Sequence, residues 1–363
     1  MEILTADKYP QYENFARSHK NGGITQSVMW HNVKRDWGHE VVVSRDESGA
    51  IIGGVSILVR KMPFTRTAML YSPRGPVCDL SDRAVLEDLK RGVDALAKKH
   101  RAHIYKTDPD IPVDDENFRA VMRDMGFRQI LGKGGFETIQ ARFNYRLYIN
   151  GRDENALLAN LTQQTRRNVR IAQRKGVEVK VMGKEALGDF MRLMEITGAR
   201  DGFATRPGWY FERMMDSLGD HMRLYMAYYE GKAISGAVAA NYAGKTCYLY
   251  GASDNANRNV MSTYLLQWEM IRWAVQTGCT VYDFQGVSGD MDENSPLYGL
   301  YRFKKGFNGT LDELAGEFDF VYMPIRARLV RVIIRANEWG RTAARSAAGF
   351  RNKVLGFRKR TVQ

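Results

Sequence analysis

Alternating apolar and polar positions predict two β-hairpins that lie far apart in the chain. A period of two residues places one side of each strand in the interior. Short turns rich in Gly, Asp and Glu separate the alternating segments, which is typical of antiparallel strands. The predicted strands span residues 40–44 and 50–60 around the turn Asp46-Glu47-Ser48-Gly49, and residues 222–229 and 233–242 around the turn Glu230-Gly231-Lys232.

The same order of elements follows both hairpins. The segment Gly49–Val55 has a counterpart in Gly231–Ala237, 182 residues later. A repeat of this length indicates two domains of one topology, and antiparallel strands followed by a helix and a strand describe an α+β layer fold. The order resembles the GNAT acyltransferase fold used twice in tandem. The predicted helices span residues 80–100 and 260–277, and the strands after them span residues 102–106 and 280–284.

Helical spacing predicts two elements in front of the first hairpin. A polar helix is expected over residues 5–20. Trp30, Val33 and Trp37 then recur on one face of a second helix, which would be buried. Lys34 follows Trp30 by one turn, so its ammonium group either points along the helix edge towards a ligand or is simply solvated.

A single helix is predicted over residues 153–175, between the two units. Asp153 or Asn155 can begin it, and Gly176 follows in the position where glycine commonly ends a helix. Its basic side chains either follow a nucleic-acid backbone or form a solvated face. They are Arg166, Arg167, Arg170, Arg174 and Lys175.

Aromatic and basic residues around position 206 and position 250 are candidates for an anion site. Arg206 and Tyr210 are four residues apart, and a helix beginning near Pro207 would bring them together at its N-terminus. Arg206 would there either bind a phosphate through its forked guanidinium or cap the helix. Tyr248 and Tyr250 alternate along a predicted strand, so both are expected on the same face.

Two adjacent lysines stand between two phenylalanines in the segment Leu297–Gly309. Phe303 and Phe307 can anchor the segment, while Lys304 and Lys305 either face a cleft or lie in an ordinary surface turn. A lysine ammonium is a compact charge suited to a phosphate or to a developing oxyanion.

The positive charge of the chain is concentrated at its C-terminal end. The net charge is +13, and residues 326–363 hold eleven Lys or Arg against one acid, Glu338, which accounts for +10. This arm indicates an anionic partner, either RNA or an acidic membrane face. The arm is predicted to be helical from Pro324, with an apolar stripe. The stripe consists of Ile325, Leu329, Val332, Ile333 and Trp339.

Composition excludes several classes of protein. The chain has 363 residues, 44% of them hydrophobic, which favours two packed domains over disorder. Its three cysteines form no CxxC pair and its six histidines show no ligand spacing, so neither a disulfide framework nor a metal site is expected. The N-terminus has no basic region before an apolar run, and no apolar segment reaches 18 residues. A cytoplasmic protein is expected, with peripheral contact to the inner membrane face through the arm.

An ordered series of motifs resembles the Fem family of peptidyltransferases, which build peptidoglycan cross-bridges. The resemblance spans residue 1 to about residue 320. The motifs are Gln26-Ser27 with Trp30 and Lys34, Pro73-Arg74-Gly75-Pro76, Thr165-Arg166-Arg167-Asn168-Val169, Arg206 with Tyr210, Tyr282-Asp283-Phe284-Gln285-Gly286 and Phe303-Lys304-Lys305-Gly306-Phe307.

The resemblance implies a non-ribosomal aminoacyltransferase. It would move an amino acid from aminoacyl-tRNA to the stem-peptide amine of a peptidoglycan precursor, either UDP-linked or lipid-linked (lipid II), with no cofactor beyond the tRNA ester. Two GNAT-like domains are implied, over residues 1–148 and 149–316, with a segment at about 317–340 returning to the first and a basic tail at 341–363. The family's coiled-coil arm has no heptad counterpart here.

The resemblance also assigns roles to individual residues. Lys34, Arg206, Tyr210 and Tyr250 are implied to bind the precursor, with the cations on its diphosphate. Phe303 and Lys304 are implied at the reacting centre, where Lys304 would stabilise an oxyanion. An amine that attacks an ester needs no Ser or Cys nucleophile, and no G-x-S-x-G motif is present. Asp283 is a candidate base by position. Alternatively, the proton leaves through the substrate or the tRNA sugar.

Two other functions compete with this one. An acyl-CoA-dependent N-acyltransferase of the GNAT fold would need a glycine-rich pyrophosphate loop, and Arg258–Ser262, at the corresponding place, lacks glycine. A non-enzymatic RNA-binding protein would account for the basic residues. It would leave the pairs Arg206/Tyr210 and Phe303/Lys304 without a role.

Overall fold

The computed structural model describes residues 1–63, 65–132 and 134–334, which form two mixed β-sheets with helices packed on their faces. The strands in chain order are β1 (Glu2–Ile3), β2 (Gly38–Arg45), β3 (Ile51–Lys61), β4 (Ala68–Ser72), β5 (Val77–Cys78), β6 (Ala102–Thr107), β7 (Arg128–Ile130), β8 (Phe143–Tyr148), β9 (Glu178–Met182), β10 (Met222–Tyr229), β11 (Lys232–Tyr242), β12 (Lys245–Ser253), β13 (Val281–Val287), β14 (Thr310–Glu313) and β15 (Glu317–Val321).

The helices connect and cover these strands. They are α1 (Tyr9–Ser18), α2 (Val28–Val33), α3 (Arg83–Lys99), α4 (Glu116–Asp124), α5 (Glu154–Asn160), α6 (Gln163–Arg174), α7 (Leu187–Asp201), α8 (Gly208–Leu218), α9 (Ser262–Gln276) and α10 (Tyr298–Lys305). A further helix, here named the C-terminal helix, occupies residues 324–334. No helix in the described part of the chain is long and apolar enough to cross a bilayer.

The α+β prediction is confirmed, and both predicted hairpins are present. The first sheet has the order β1-β2-β3-β4-β6-β15-β7 with β5 on β3, and the second has the order β14-β8-β13-β12-β11-β10-β9. The hairpin β2–β3 buries Val55, Ile57 and Val59 beneath α3. The hairpin β10–β11 occupies the equivalent place in the second sheet.

The two halves of the chain share apolar contacts. β15 returns from the end of the second half and pairs between β6 and β7 of the first sheet. One apolar cluster joins Trp30 and Val33 of α2 to Phe190 of α7 and Phe211 of α8. Because α2 belongs to the first half and α7 and α8 to the second, their packing fixes the position of Lys34 relative to α8.

The prediction of one helix over residues 153–175 is wrong, because the helix is interrupted at Leu161 and Thr162. Leu161 has an extended ψ of 148°, and the Thr162 hydroxyl accepts a hydrogen bond from the Thr165 amide, which begins α6. Thr162 also donates to the Gly306 carbonyl at 3.0 Å. The interruption therefore turns the first turn of α6 towards the end of α10. The predicted start at Asp153 is confirmed, since its carboxylate accepts from the Ala156 amide.

Strands β12 and β13 separate along their length. They pair in parallel only from Lys245–Cys247 on β12 to Val281–Asp283 on β13, although each strand continues further. In the first sheet the equivalent strands β4 and β6 stay paired from Ala68 to Ser72, the whole of β4. A V-shaped gap is therefore present in the second sheet between the ends of β12 and β13.

The C-terminal helix exposes the apolar stripe that the sequence predicted. Ala327 and Val330 are the buried positions. Ile325, Leu329 and Val332 are 83%, 45% and 63% exposed, so these members of the stripe face outward. Trp339, assigned to the same stripe, and the tail 341–363 lie outside the described residues.

Candidate active site

Four of the predicted substrate-binding residues form one cluster. Lys34, at the end of α2, donates a 2.9 Å hydrogen bond from Nζ to the Tyr210 hydroxyl in the first turn of α8. The Arg206 guanidinium carbon lies 5.4 Å from the centre of the Tyr210 ring. The Tyr250 ring lies 6.4 Å from that of Tyr210. The helix predicted to begin near Pro207 is confirmed, with Pro207 at its N-cap.

Two of the predicted motifs hold α2 in place and so position Lys34. Gln26 is fully buried, and its amide nitrogen donates to the Pro73 carbonyl at 2.8 Å. Its amide oxygen accepts from the Ser56 backbone amide at 3.0 Å. A Cβ on Gly75 would lie 2.3 Å from the Ser72 hydroxyl oxygen, so the corner needs glycine. Ser27 then caps α2, which begins the helix whose last turn leads to Lys34.

The cluster has an excess of positive charge. Burial, together with the neighbouring Arg206 and Arg213, lowers the pKa of Lys34 to about 8. Burial also raises the pKa of the Tyr210 hydroxyl, so this group stays a neutral hydrogen-bonding partner. An anion bound here would relieve the repulsion among the three cations and restore the ammonium form of Lys34.

Arg213 is a member of this cluster that the sequence analysis missed. Its guanidinium carbon lies 4.4 Å from the centre of the Trp209 ring, and the side chain pairs with Asp36 at 2.8 Å. Trp209 and Arg213 are four residues apart on α8 and so share a helix face, and this spacing was the available signal.

The prediction that Tyr248 and Tyr250 share one face of β12 is wrong. A register shift in the pairing with β11 places Leu249 as an extra residue, so the two rings pack into different apolar clusters. Tyr250 contacts Phe211 of α8 at 4.9 Å between ring centres. Tyr248 packs on the other face, where Gly251 makes room for its hydroxyl group. A β-bulge of this kind breaks strict alternation.

Lys304 is held by the backbone of β13. Its side chain is buried, at 3% exposure, and Nζ donates to the carbonyl oxygens of Phe284 at 2.6 Å, Gln285 at 3.2 Å and Gly286 at 2.8 Å. These three bonds use all three ammonium hydrogens. Burial lowers its pKa to about 7, and the charge of Asp283 partly opposes this shift. Lys305 is exposed, so only Lys304 of the pair is enclosed.

Asp283 shapes the β13 segment that receives Lys304. Its Oδ1 accepts a 2.6 Å hydrogen bond from the amide of Gln285, which has a positive φ of 63°. Its Oδ2 accepts from Arg146 Nε at 2.9 Å. A Cβ on Gly286 would lie 2.4 Å from the Ala141 Cβ, so no larger residue fits there. Both carboxylate oxygens are thus engaged, which favours a positioning role over the predicted role as a base.

An ion-pair network that the sequence analysis did not identify supports this segment. Arg146 pairs with Asp110 at 2.7 Å as well as with Asp283, and Lys245 contacts Asp110 at 3.2 Å. Burial alone would raise the pKa of Asp110, but Arg146 and Lys245 hold it below its usual range. The members are separated by tens of residues in sequence, so no local pattern reveals the network.

Phe303 anchors α10 through aromatic contacts. Its ring lies 5.0 Å from that of Tyr264 and 5.6 Å from that of Phe307, which is fully buried. The last turn of α10 also touches α6, where a Cβ on Gly306 would lie 2.2 Å from the Thr165 hydroxyl oxygen. The motif at residues 165–169 and the motif at residues 303–307 therefore form a single packing unit.

The predicted residues thus form two clusters on the two sides of the β12–β13 gap. Lys34, Arg206 and Tyr210 lie with Tyr250, which is on β12 beyond its last pair with β13. Phe303 and Lys304 lie with Asp283, and Lys304 binds the carbonyls at the end of β13.

Exposed basic residues of α6 lie beside the second cluster. Arg167, Arg170 and Arg174 are exposed, while Asn168 and Val169 are buried. The buried residues hold α6 against the protein, so its arginines form a cationic surface next to α10. Binding of a nucleic acid by this surface stays a prediction.

Comparison with known proteins places the chain in a family. The sequence profile of the FemAB family matches residues 8–233 and 230–335. The lipid II:glycine glycyltransferase of Staphylococcus epidermidis is 29% identical over 381 residues, covering 86% of this chain and 91% of that protein. The crystal structure of FemX has a TM-score of 0.84 at 26% identity, covering 91% of this chain and 99% of FemX.

A more distant structure supports the fold alone. The tandem GNAT protein from the clavulanic acid biosynthesis pathway has a TM-score of 0.51 at 12% identity, covering 88% of this chain and 97% of that chain. Two GNAT-like domains in tandem, as predicted, are therefore confirmed.

Proposed function

The chain belongs to the FemAB family and is an aminoacyltransferase, and on that basis we propose that it extends the peptide bridge of a peptidoglycan precursor. It takes an amino acid from aminoacyl-tRNA and adds it to the stem-peptide amine. The observation that carries this proposal is the pair of clusters, one cationic and one around Lys304, on the two sides of the β12–β13 gap.

The cationic cluster suits the diphosphate of the precursor. Arg206 offers a bidentate fork, and Lys34 supplies a point charge oriented by Tyr210. Tyr250 lies on β12 beyond its last pair with β13, and in this proposal it contacts the sugar or the peptide. With the diphosphate fixed there, the stem peptide extends through the gap, and its amine reaches the side that holds Lys304.

Transfer forms one C–N bond and breaks one C–O bond. The amine nitrogen attacks the ester carbonyl carbon, a tetrahedral oxyanion forms, and the ribose oxygen of the tRNA leaves. Lys304 stabilises the oxyanion through its positive charge rather than through a free N–H, because carbonyl groups occupy its hydrogens. A charge that is already fixed in a site without water stabilises the oxyanion without any reorientation of solvent or side chains during the reaction.

The amine proton leaves through the substrate or the departing tRNA sugar. Asp283 is not assigned this step, since Arg146 and the Gln285 amide engage its two oxygens. Asp283 instead keeps the β13 carbonyls in the geometry that binds Lys304. No cofactor is needed, because the ester of the aminoacyl-tRNA is already activated.

The tRNA and the acceptor approach from different sides. The exposed arginines of α6 bind phosphates near the acceptor end of the tRNA, which places the ester next to α10. The proposed acceptor is the lipid-linked precursor, because the staphylococcal relative named above is a lipid II:glycine glycyltransferase. The enzyme then works at the cytoplasmic face of the membrane, and the basic C-terminal arm contacts that surface.

A transfer assay tests the proposal. Purified protein is incubated with lipid II or with the UDP-linked precursor and with a panel of tRNAs charged with labelled amino acids. Label should enter the precursor with at least one tRNA, and RNase should abolish the reaction. Transfer that requires an acyl-CoA and resists RNase would overturn the proposal in favour of the acyl-CoA alternative, which the family relationship does not favour.

A further inference from the structure

A cavity lies between the C-terminal helix and the first sheet, away from the proposed active site. Its volume is about 190 Å³. The floor is the face of β4, β6 and β15 opposite α3 and α4, and the lid is the inner side of the C-terminal helix, with Ala327 and Val330. Cavities of about 150 Å³ hold a benzene ring, so this one has room for a small group or a short run of methylenes.

The cavity has an apolar wall and a cationic rim. Its apolar lining consists of Met62, Met69, Ile104, Val321, Ala327, Val330 and Ile334. The lining also includes Lys106, whose charge is neutralised by ion pairs with Glu317 and Asp319. The exposed arginines Arg60, Arg128 and Arg331 complete the rim, and none of them forms an ion pair with a carboxylate in the described part of the chain. Burial raises the pKa of Asp319, which also lines the cavity, and the charge of Arg128 partly opposes this rise.

The outer face of the same helix is apolar and basic. Ile325, Leu329 and Val332 are exposed, and Arg326 and Arg328 alternate with them. The 29 residues after position 334 add eight Lys or Arg and one acid. Exposed apolar side chains alternating with arginines on a surface helix are typical of a helix that lies in the membrane interface.

We propose that the C-terminal helix and the cavity beneath it form a docking site for an anionic phospholipid of the membrane. The lipid phosphate binds Arg128 and Arg331 at the rim, part of its acyl region enters the apolar cavity, and Ile325, Leu329 and Val332 insert among neighbouring lipids. The site is separate from the Lys34 and Lys304 clusters, so it holds the enzyme on the membrane rather than binding the reacting precursor.

A membrane fits this surface better than RNA does. RNA binding needs cations and aromatic or polar groups, and nothing in it would cover three exposed aliphatic side chains. A bilayer with acidic headgroups provides both the negative charge and the apolar layer. The arginines of α6 lack fully exposed aliphatic neighbours, because Val169 on that helix is buried and Ile171 is half-buried.

The experiment measures flotation of the full-length protein with vesicles, without tRNA or precursor, so its outcome does not depend on the transfer reaction. The vesicles are phosphatidylcholine alone or phosphatidylcholine mixed with phosphatidylglycerol. Arg128→Gln/Arg331→Gln tests the rim and Leu329→Ser/Val332→Ser tests the outer face. Arg91→Gln is the control, because Arg91 lies on α3 at the opposite face of the same sheet and is 64% exposed.

The wild type should bind the phosphatidylglycerol vesicles preferentially. The partition coefficient of the rim variant on these vesicles should fall about tenfold or more, since each basic residue near an anionic surface raises that coefficient about fivefold. The outer-face variant should lose a comparable factor, and Arg91→Gln should bind like the wild type. Equal binding to both vesicle types, or a rim or outer-face variant that binds like the wild type, would overturn the docking site.

A soluble probe separates a lipid site from a general anion site. Dihexanoyl-phosphatidylglycerol should raise the thermal unfolding midpoint of the wild type but not of Arg128→Gln/Arg331→Gln. Dihexanoyl-phosphatidylcholine and inorganic phosphate should leave it unchanged. A phosphate effect equal to that of the lipid would show an anion site only, and weaker tRNA binding by the rim variant with unchanged vesicle binding would assign the surface to RNA. Both results contradict the proposal.

Discussion

Lys304 combines a buried charge with complete hydrogen bonding to carbonyl groups. Its neighbour Lys305 has the same side chain but is exposed and lies 5.7 Å from the Tyr301 ring centre. The sequence places two lysines between two phenylalanines, and only the turn of α10 decides which one enters the protein. The assignment of Lys304 to the reacting centre stays a prediction, and the three carbonyl partners of its ammonium group had no signal in the sequence.

We expect Lys304→Met to lower kcat by about 10²–10³ with little change in precursor affinity, because it removes charge stabilisation from the transition state. Lys305→Met is the matched control and should transfer at nearly the wild-type rate. Single-turnover kinetics with charged tRNA, together with precursor titration, distinguishes the two effects. An equal loss of kcat in Lys304→Met and Lys305→Met would contradict the role of Lys304 at the reacting centre.

Arg206→Ala should mainly weaken binding of the precursor. The guanidinium is exposed beside Tyr210, so truncation removes a phosphate contact without disturbing the core. The expected result is a KM raised at least tenfold with kcat changed much less, measured in the transfer assay. Arg192→Ala, on the surface of α7, is the control. A variant whose kcat falls while KM is unchanged would contradict a diphosphate role.

Affinity for the precursor should depend on pH through Lys34. Because its pKa in the free protein is lowered to about 8, its charge is present below that pH and is lost as the pH rises through it. Affinity should therefore be level below about pH 8 and should fall above it. Lys34→Arg, which stays protonated, should give a level profile by calorimetry across the same range. A wild-type profile that does not fall would exclude Lys34 from the anion site.

At the scale of elements, local interruptions of regular structure set the site geometry. Thr162 ends one helix and begins another, which brings α6 against α10. Leu249 is the extra residue that places Tyr250 beside α8. Periodicity predicted the hairpins and long helices well, because many side chains repeat the same signal. It failed at these two positions, because a helix interruption and a bulge each depend on one or two hydrogen bonds.

The contact between α6 and α10 can be tested with a pair of glycines in the same segment. Gly306→Ala should lower the free energy of unfolding by about 1–3 kcal/mol, since its Cβ would overlap Thr165. It should also lower kcat, because Lys304 is two residues away. Gly299→Ala, with no atom near its Cβ, should instead stabilise the helix by up to about 1 kcal/mol. Urea unfolding measures the free energy of unfolding of both variants. If Gly306→Ala is as stable as the wild type, Gly306 and Thr165 are not closely packed.

At the scale of the whole molecule, the two halves are joined by a network of charges. Asp110 follows the end of β6 in the first sheet, and its partners lie on strands of the second sheet. These are Arg146 on β8, Lys245 on β12 and Asp283 on β13. The internal repeat predicted two units of one topology, and the structure contains them. The charge network could not be predicted, because it depends on how the two units meet.

Replacing Arg146 by Met should destabilise the protein by about 3–5 kcal/mol, because it leaves Asp110 and Asp283 buried without their main partner. Denaturant unfolding at neutral pH measures the loss. Lowering the pH should narrow the difference, since protonation removes the unpaired charges in the variant. Arg152→Met is the control, because Arg152, four residues after β8, donates to the carbonyls of Ile149 and Tyr148 and pairs with no carboxylate in the described residues. A variant as stable as the wild type would show that the network contributes little.

The separation of β12 from β13 has no equivalent in the first half, where β4 and β6 remain joined. In the proposed function, only the second half receives a substrate between its separated strands, and the first half, whose strands stay paired, supports it. A compound shaped to wedge between those separated strands should saturate at a stoichiometry of one per polypeptide.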